Sequence, residues 1–214
     1  MLKSIEQKDK KQRKDNKRKL SRKSPQIVLA TASSTRIEMF KKTGIPFLYE
    51  KHNVDEEAIK REKYSKRREK VATSLSIAKA RSIQKKYLGK IIIGSDQILI
   101  CENKLMSKAI NLDQAEKNLN FLCGKKHELW SSTVAINHGK LVFSTLEKAE
   151  ILFIENSRHK IKNYVRQKKD IILTSVGCYR IEDNNKYGLI KILSGSEETI
   201  KGFPIETLIK TLDI

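Results

Sequence analysis

Residues 27–44, IVLATASSTRIEMFKKTG, decide how this chain is read. An apolar run from Ile27 to Ala30 stops at small hydroxyl residues, Thr31, Ser33, Ser34 and Thr35. Arg36 then opens a helical pattern, and Gly44 stands just past its end as a stop signal. Strand, hydroxyl-rich turn and helix start with an arginine suit the binding of a phosphate. The first turn of a helix offers unpaired N–H groups and a partial positive charge, the hydroxyls add donors, and the guanidinium adds a charged fork. Taken alone the pattern is unspecific, because many strand-to-helix turns carry Ser and Thr merely as N-caps.

Outward from this stretch, apolar runs and helical patterns alternate. Pro46 to Glu50 reads as a short strand leading into VDEE, Val54 to Glu57. Residues 58–70 are polar and highly charged, a loop or an exposed helix. Val71, Leu75, Ala78 and Ile83 recur at helical spacing. Ile91 to Ile93 reads as a buried strand ending in Gly94, and Leu112 to Leu122 as a helix closed by Gly124. Two longer strands, Glu128 to Ile136 and Leu141 to Phe153, meet through Asn137-His138-Gly139-Lys140, a hairpin signal. A helix near Ser157 to Lys168, a strand from Tyr187 to Ile192 and a helix from Pro204 to Leu212 complete the pattern. Such alternation predicts an α/β fold with a long, curved, mixed sheet.

The 214 residues suffice for one domain with a real core. Charge divides the chain: residues 1–24 hold eleven Lys or Arg against three acids, about 8 of the +20 net charge. This sets residues 1–24 apart as a basic, solvated extension from a folded domain over 25–214. A basic arm can touch nucleic acid or an anionic surface through residues 3–23, but no aromatic is interleaved with its charges, so a Lys-rich composition accounts for it more simply. No apolar run reaches transmembrane length. Cys101, Cys123 and Cys178 are odd in number and far apart, which points to reduced thiols and a cytoplasmic protein.

The chemistry-bearing residues are scattered. Asp96 follows a buried strand beside Gly94, where α/β sheets tend to place reacting groups, although a turn-forming Asp looks the same. Asp55 and Glu56 form a second acidic spot, and carboxylates from separate elements can share a Mg²⁺ with substrate phosphates. Lys79 and Lys108 are candidate phosphate counter-charges. His52, His127, His138 and His159 show no ligand spacing, and no Ser/His/Asp triad assembles.

In order along the chain stand LATASSTR, VDEE, LSIAKA, IIIGSDQ, SKAINLDQAEKNLNFLCGKKHEL, TSVGCYRIE and GSEETIKGFPIETL. This series resembles the Maf family of nucleoside-triphosphate pyrophosphatases from about residue 26 to the end. The resemblance implies a Maf/ITPase-like two-lobed α/β fold, a long curved mixed sheet flanked by helices, with the site in a cleft between the lobes. It implies hydrolysis between the α and β phosphates, giving a monophosphate and pyrophosphate with a divalent cation, Mg²⁺ or Mn²⁺, and so removal of non-standard nucleotides. It places Thr31, Ser33, Arg36 and Lys108 on the phosphates, Asp96, Glu56 and Lys79 in catalysis, and Glu56 and Asp96 on the metal. Homodimers are common in the family.

The departures bear on the substrate. Ser34-Thr35-Arg36 keeps one arginine where many members have Pro-Arg-Arg, and the GKP motif has become Ser107-Lys108-Ala109. GSDQ replaces the GADT of the dTTP/UTP branch, and its KAGAYGIQG is replaced by Ser175 to Glu182, with Glu182 in place of glutamine. That pattern looks more like the branch acting on 7-methyl-GTP, with Glu182 facing the base. The alternative is a non-catalytic nucleotide-binding regulator linked to cell-division arrest, suggested by the lost arginine and eroded GKP.

Overall fold

The computed structural model describes residues 26–64, 67–156 and 158–212, so the basic extension falls outside the described residues. Strand β1 (Ile27–Ala30) is buried along its whole length and lies parallel to β2 (Phe47–Glu50) on one side and β3 (Ile91–Cys101) on the other. Covered on both faces, such a strand must be continuously apolar. Helix α1 (Ser34–Lys41) follows β1, and Gly44 closes its exit at φ +73°. Helices α2 (Glu56–Tyr64) and α3 (Lys70–Ile83) fill the crossover to β3. The charged stretch after residue 57 is therefore helical as far as Tyr64, with no buried residue in that helix.

Beyond β3 the sheet turns antiparallel. Strand β4 (Lys104–Met106) pairs with β3, and β5 (Lys126–Asn137), β6 (Lys140–Phe153) and β7 (Ile190–Ser194) extend the order to β2-β1-β3-β5-β6-β7. His138 and Gly139 both take positive φ between β5 and β6, as a two-residue hairpin turn requires. Glu102 and Asn103 do the same between β3 and β4, a hairpin that no glycine announced. Helix α4 (Leu112–Leu122) starts at the Asn111 cap and is followed after β6 by α5 (Arg158–Lys168) and the short α6 (Asp170–Leu173). Short helices α7 (Asn184–Tyr187) and α8 (Glu197–Ile200) flank β7, and α9 (Glu206–Leu212) ends the described chain. Tyr187 thus closes a helix, and Gly188 at φ +56° delays β7 to Ile190.

Two lobes share the sheet. In one, Ile27, Leu29 and Phe40 pack against Phe203 and Leu208. In the other, Leu99, Leu119, Phe153 and Tyr164 gather under α4 and α5. Strand β3 belongs to both, and here the sequence reading needs correction: the strand does not end at Gly94. Its parallel ladder with β1 stops at Ile93, while its antiparallel ladder with β5 runs from Ile92 to Ile100. Gly, Ser and Asp are poor strand formers, but pairing to Val134, Thr133 and Ser132 holds them extended. Asp96 consequently sits mid-strand, just past the point where β1 turns away.

Gly94 also sets how closely α3 approaches the sheet, since a Cβ there would lie 2.1 Å from the Ser76 carbonyl oxygen. Gly94→Ala should push α3 off β3 and cost about 3 kcal/mol in urea unfolding. A wild-type midpoint in that variant would contradict the close approach.

Candidate active site

Between the lobes lies a cavity of ≈ 370 Å³ whose walls come from both ends of the chain. Lys79, from α3, occupies its floor, with Nζ 2.7 Å from Asp96 Oδ1 and 2.9 Å from Glu56 Oε1. Lys79 is 3% and Asp96 6% exposed. An ammonium so enclosed needs both carboxylates, and they in turn need it. Glu56 arrives at the start of α2 because Asp55 caps that helix, its Oδ1 accepting from the Ala58 N–H at 3.0 Å. Burial pushes the Glu56 carboxyl up, but the Lys79 charge and hydrogen bond, then Lys108 and Lys60, outweigh it and leave the pKa below the usual carboxylate value.

The hydroxyl turn forms the rim. Ser33 Oγ accepts from the Arg36 N–H at 3.5 Å and caps α1, while Thr31 Oγ1 accepts from the Ser33 N–H at 3.0 Å. Capping uses lone pairs, so both hydroxyl protons are left to donate to a ligand. Arg36 Nε donates to the Gly202 carbonyl at 3.0 Å, and the guanidinium borders the cavity. Loss of hydration lowers the Arg36 pKa from its usual value, opposed by Asp96 and Glu56. Lys108 lies at the mouth, where desolvation and then the Arg36 charge lower its pKa. No ion pair neutralises Lys108 among the described residues. A ligand bringing several negative charges would relieve both cations.

All eight sequence-predicted positions (Thr31, Ser33, Arg36, Glu56, Lys79, Asp96, Lys108 and Glu182) border this one cavity. The carboxylates of Glu56 and Asp96 each give one oxygen to Lys79, leaving Oε2 and Oδ2 available. Two oxygens from separate elements fit a Mg²⁺ that draws its remaining ligands from water and phosphate. They do not form a closed cage: among the described residues no group of three or more His, Cys, Asp or Glu is placed to hold a metal.

A family model described as Maf-like protein matches residues 26–214. The chain belongs to the Maf family. Relatives of this Maf domain include the nucleoside triphosphate pyrophosphatase of Pelagibacter ubique, 29% identical over 88% of this chain and 97% of its own. That of Granulibacter bethesdensis is 32% identical over 86% of this chain and 93% of its own. The 7-methyl-GTP pyrophosphatase of Bartonella henselae is 28% identical over 86% and 92%.

Sequence reasoning missed several residues of the Maf cavity. His52 packs 3.6 Å from Glu56, its Nδ1 buried without a partner among the described residues; burial, then the Lys79 charge, lower its pKa from the usual histidine value. Gln97 donates to the carbonyls of Thr199 and Ile200 at 2.8 and 3.0 Å, tying the end of the chain to β3. Isolated polar residues carry no periodic signal, and these partners lie about a hundred positions away. Tyr179, on the far wall, is held by His127, with the hydroxyl 2.6 Å from Nε2.

Burial lowers the His127 pKa to about 4, only partly offset by the Lys125 backbone. Its neutral form is favoured in the fold, so its contribution to stability is present above about 6.5, the ordinary histidine value, and is lost as pH falls toward 4. His127→Gln keeps an acceptor for Tyr179 and removes the titration. Its unfolding free energy should fall less than that of wild type across this window, the difference approaching about 3 kcal/mol. Parallel pH profiles for the two proteins would count against the buried neutral imidazole.

Proposed function

We propose that the chain hydrolyses nucleoside triphosphates to the monophosphate and pyrophosphate, acting on modified nucleotides and so keeping them from incorporation. The observation that carries this is the buried Lys79–Asp96 pair, joined by half-buried Glu56 and opening onto Arg36, Lys108 and the capped start of α1. In-line attack of water on the α-phosphorus needs a carboxylate to aim the water and take its proton. Asp96 has that role. Lys79 holds both carboxylates in place, while Arg36, Lys108, the Thr31 and Ser33 hydroxyls and the α1 N–H groups take up charge on the phosphate oxygens. Glu56 and Asp96 would hold a Mg²⁺ or Mn²⁺, which supplies further charge neutralisation on the phosphates. The assembled cluster favours an enzyme over a nucleotide-binding regulator of cell division.

Within this class we assign a preference for 7-methyl-GTP. Glu182 borders the cavity and offers negative charge to a methylated, cationic ring. The name of the Bartonella henselae relative supports the same substrate. Pyrophosphate release across ATP, CTP, GTP, UTP, dTTP, pseudo-UTP and 7-methyl-GTP, with Mg²⁺ or Mn²⁺ and after chelation, tests both statements. Release only with metal, and most efficient from 7-methyl-GTP, is expected. Silence across the panel would remove the enzymatic reading.

The three free thiols fit a cytoplasmic protein, and no helix among the described residues is long and apolar enough to cross a membrane. We carry a homodimer forward from the family, to be checked by sedimentation.

A further inference from the structure

Glu182 does not border the cavity alone. It sits in the short helical turn Ile181–Asp183, with Arg180 Nε 3.5 Å from its Oε2 and Lys201 Nζ 3.7 Å from its Oε1. All three residues line the cavity that holds Asp96. Lys201 comes from the segment after α8, where the carbonyls on either side of it are fixed. Ile200 O accepts from Gln97 Nε2 at 3.0 Å, and Gly202 O accepts from Arg36 Nε and Ser95 Oγ, each at 3.0 Å. The lysine side chain is 16% exposed, so its ammonium is held against the cavity wall rather than sweeping through solvent.

Lys201 spends one N–H on Glu197, and at 3.7 Å from Glu182 it is beyond hydrogen-bond reach of that carboxylate. An ammonium has three donors, so two are left for a ligand. Read along the wall, the groups run donor (Lys201), acceptor (Oε1), acceptor (Oε2), donor (Arg180). The edge of guanine runs acceptor (O6), donor (N1–H), donor (N2–H), acceptor (N3). The two patterns are complementary when O6 faces Lys201 and N3 faces Arg180.

We propose that Arg180, Glu182 and Lys201 read the guanine edge, with Lys201 the residue that rejects amino bases. The proposal rests on the pyrophosphatase reading of the site and adds the groups that choose the base. Adenine presents its amino N–H to Lys201 and the N1 lone pair to the carboxylate, two mismatches. Cytosine repeats them with its amino group and N3. Uracil matches at O4 and N3–H but sets O2 against the second carboxylate oxygen. Hypoxanthine keeps O6 and N1–H and lacks only the 2-amino donor, which makes it the graded control. A ligand hydrogen bond left unmade in a site built for it costs specificity more than a lost methylene does.

The test measures kcat/KM for GTP, ITP and ATP, and in parallel the Kd of GMP, IMP and AMP by calorimetry. Wild type, Lys201→Met, Lys201→Arg and Glu182→Gln are compared. Wild type should favour GTP over ATP roughly a hundredfold, with ITP between them. Lys201→Met should narrow the GTP:ATP ratio about tenfold, Lys201→Arg should restore it by keeping a donor, and Glu182→Gln should erase the step between GTP and ITP. Equal kcat/KM and equal Kd for all three bases in wild type overturn the proposal while leaving the pyrophosphatase reading intact. So does a Lys201→Met protein that is less stable yet keeps the wild-type ratio, for then Lys201 is only a structural tie between Glu197 and Glu182. If no nucleotide yields pyrophosphate but GMP binds more tightly than AMP in a Lys201-dependent way, the chemistry falls and the base reading stands.

Discussion

Asp96→Asn should abolish pyrophosphate release, by roughly 10³-fold or more, in a protein that is still folded. The amide keeps the shape of the side chain and can still face Lys79, but it can neither accept a proton from water nor join Glu56 on a cation. Lys79 retains its 2.9 Å contact with Glu56, so the buried ammonium is not orphaned. The expected loss of stability is correspondingly small, about 1 kcal/mol by urea titration. Nucleotide binding, followed as thermal stabilisation by a monophosphate, should persist, since Arg36, Lys108 and the α1 start are untouched. Wild-type turnover in the variant would strip Asp96 of its role and, with it, the reading of β3 as the catalytic strand.

Lys79→Met should be the more damaging change to the fold. It removes the cation from between two carboxylates in a closed site, leaving like charges facing each other. Breaking a buried pair by deleting one partner costs about 3–5 kcal/mol at neutral pH. The pH dependence should also reverse. In wild type Glu56 titrates below its ordinary range, so its stabilisation is present above that range and is lost as pH falls through the depressed value. Without Lys79 the burial effect dominates, the Glu56 pKa rises, and acid neutralises the repulsion. Lys79→Met should therefore gain stability relative to wild type as pH is lowered from 7 toward 5. Denaturant midpoints across that range decide it: a wild-type profile would show that Lys79 does not hold the carboxylates together.

Much of this was legible in the chain because it is local. The apolar run at Ile27, the Asn111 cap and the His138-Gly139 turn each carry their physics within a few residues. The candidate site positions came from family resemblance, and the structure brings all of them to one cavity. What stayed hidden is non-local. Asp96 read as lying past the end of its strand because Gly94 and Ser95 beside it disfavour strands, and only the ladder to β5 overrides them. The β3–β4 turn uses Glu102 and Asn103 at positive φ, where a sequence reader looks for glycine. Gln97 and Lys201 gain meaning from partners that the fold, not the sequence, makes adjacent.

The tie between the two ends of the chain has a temporal consequence. Arg36 and Ser95 both donate to the Gly202 carbonyl, and Gln97 to those of Thr199 and Ile200. While the protein is being synthesised, the phosphate turn and Asp96 leave the ribosome long before these acceptors exist. Until residues 199–202 have been made, a nascent chain lacks the carbonyls that tie Arg36, Ser95 and Gln97 across the cavity. A chain cut short upstream of residue 199 lacks these acceptors and should release no pyrophosphate.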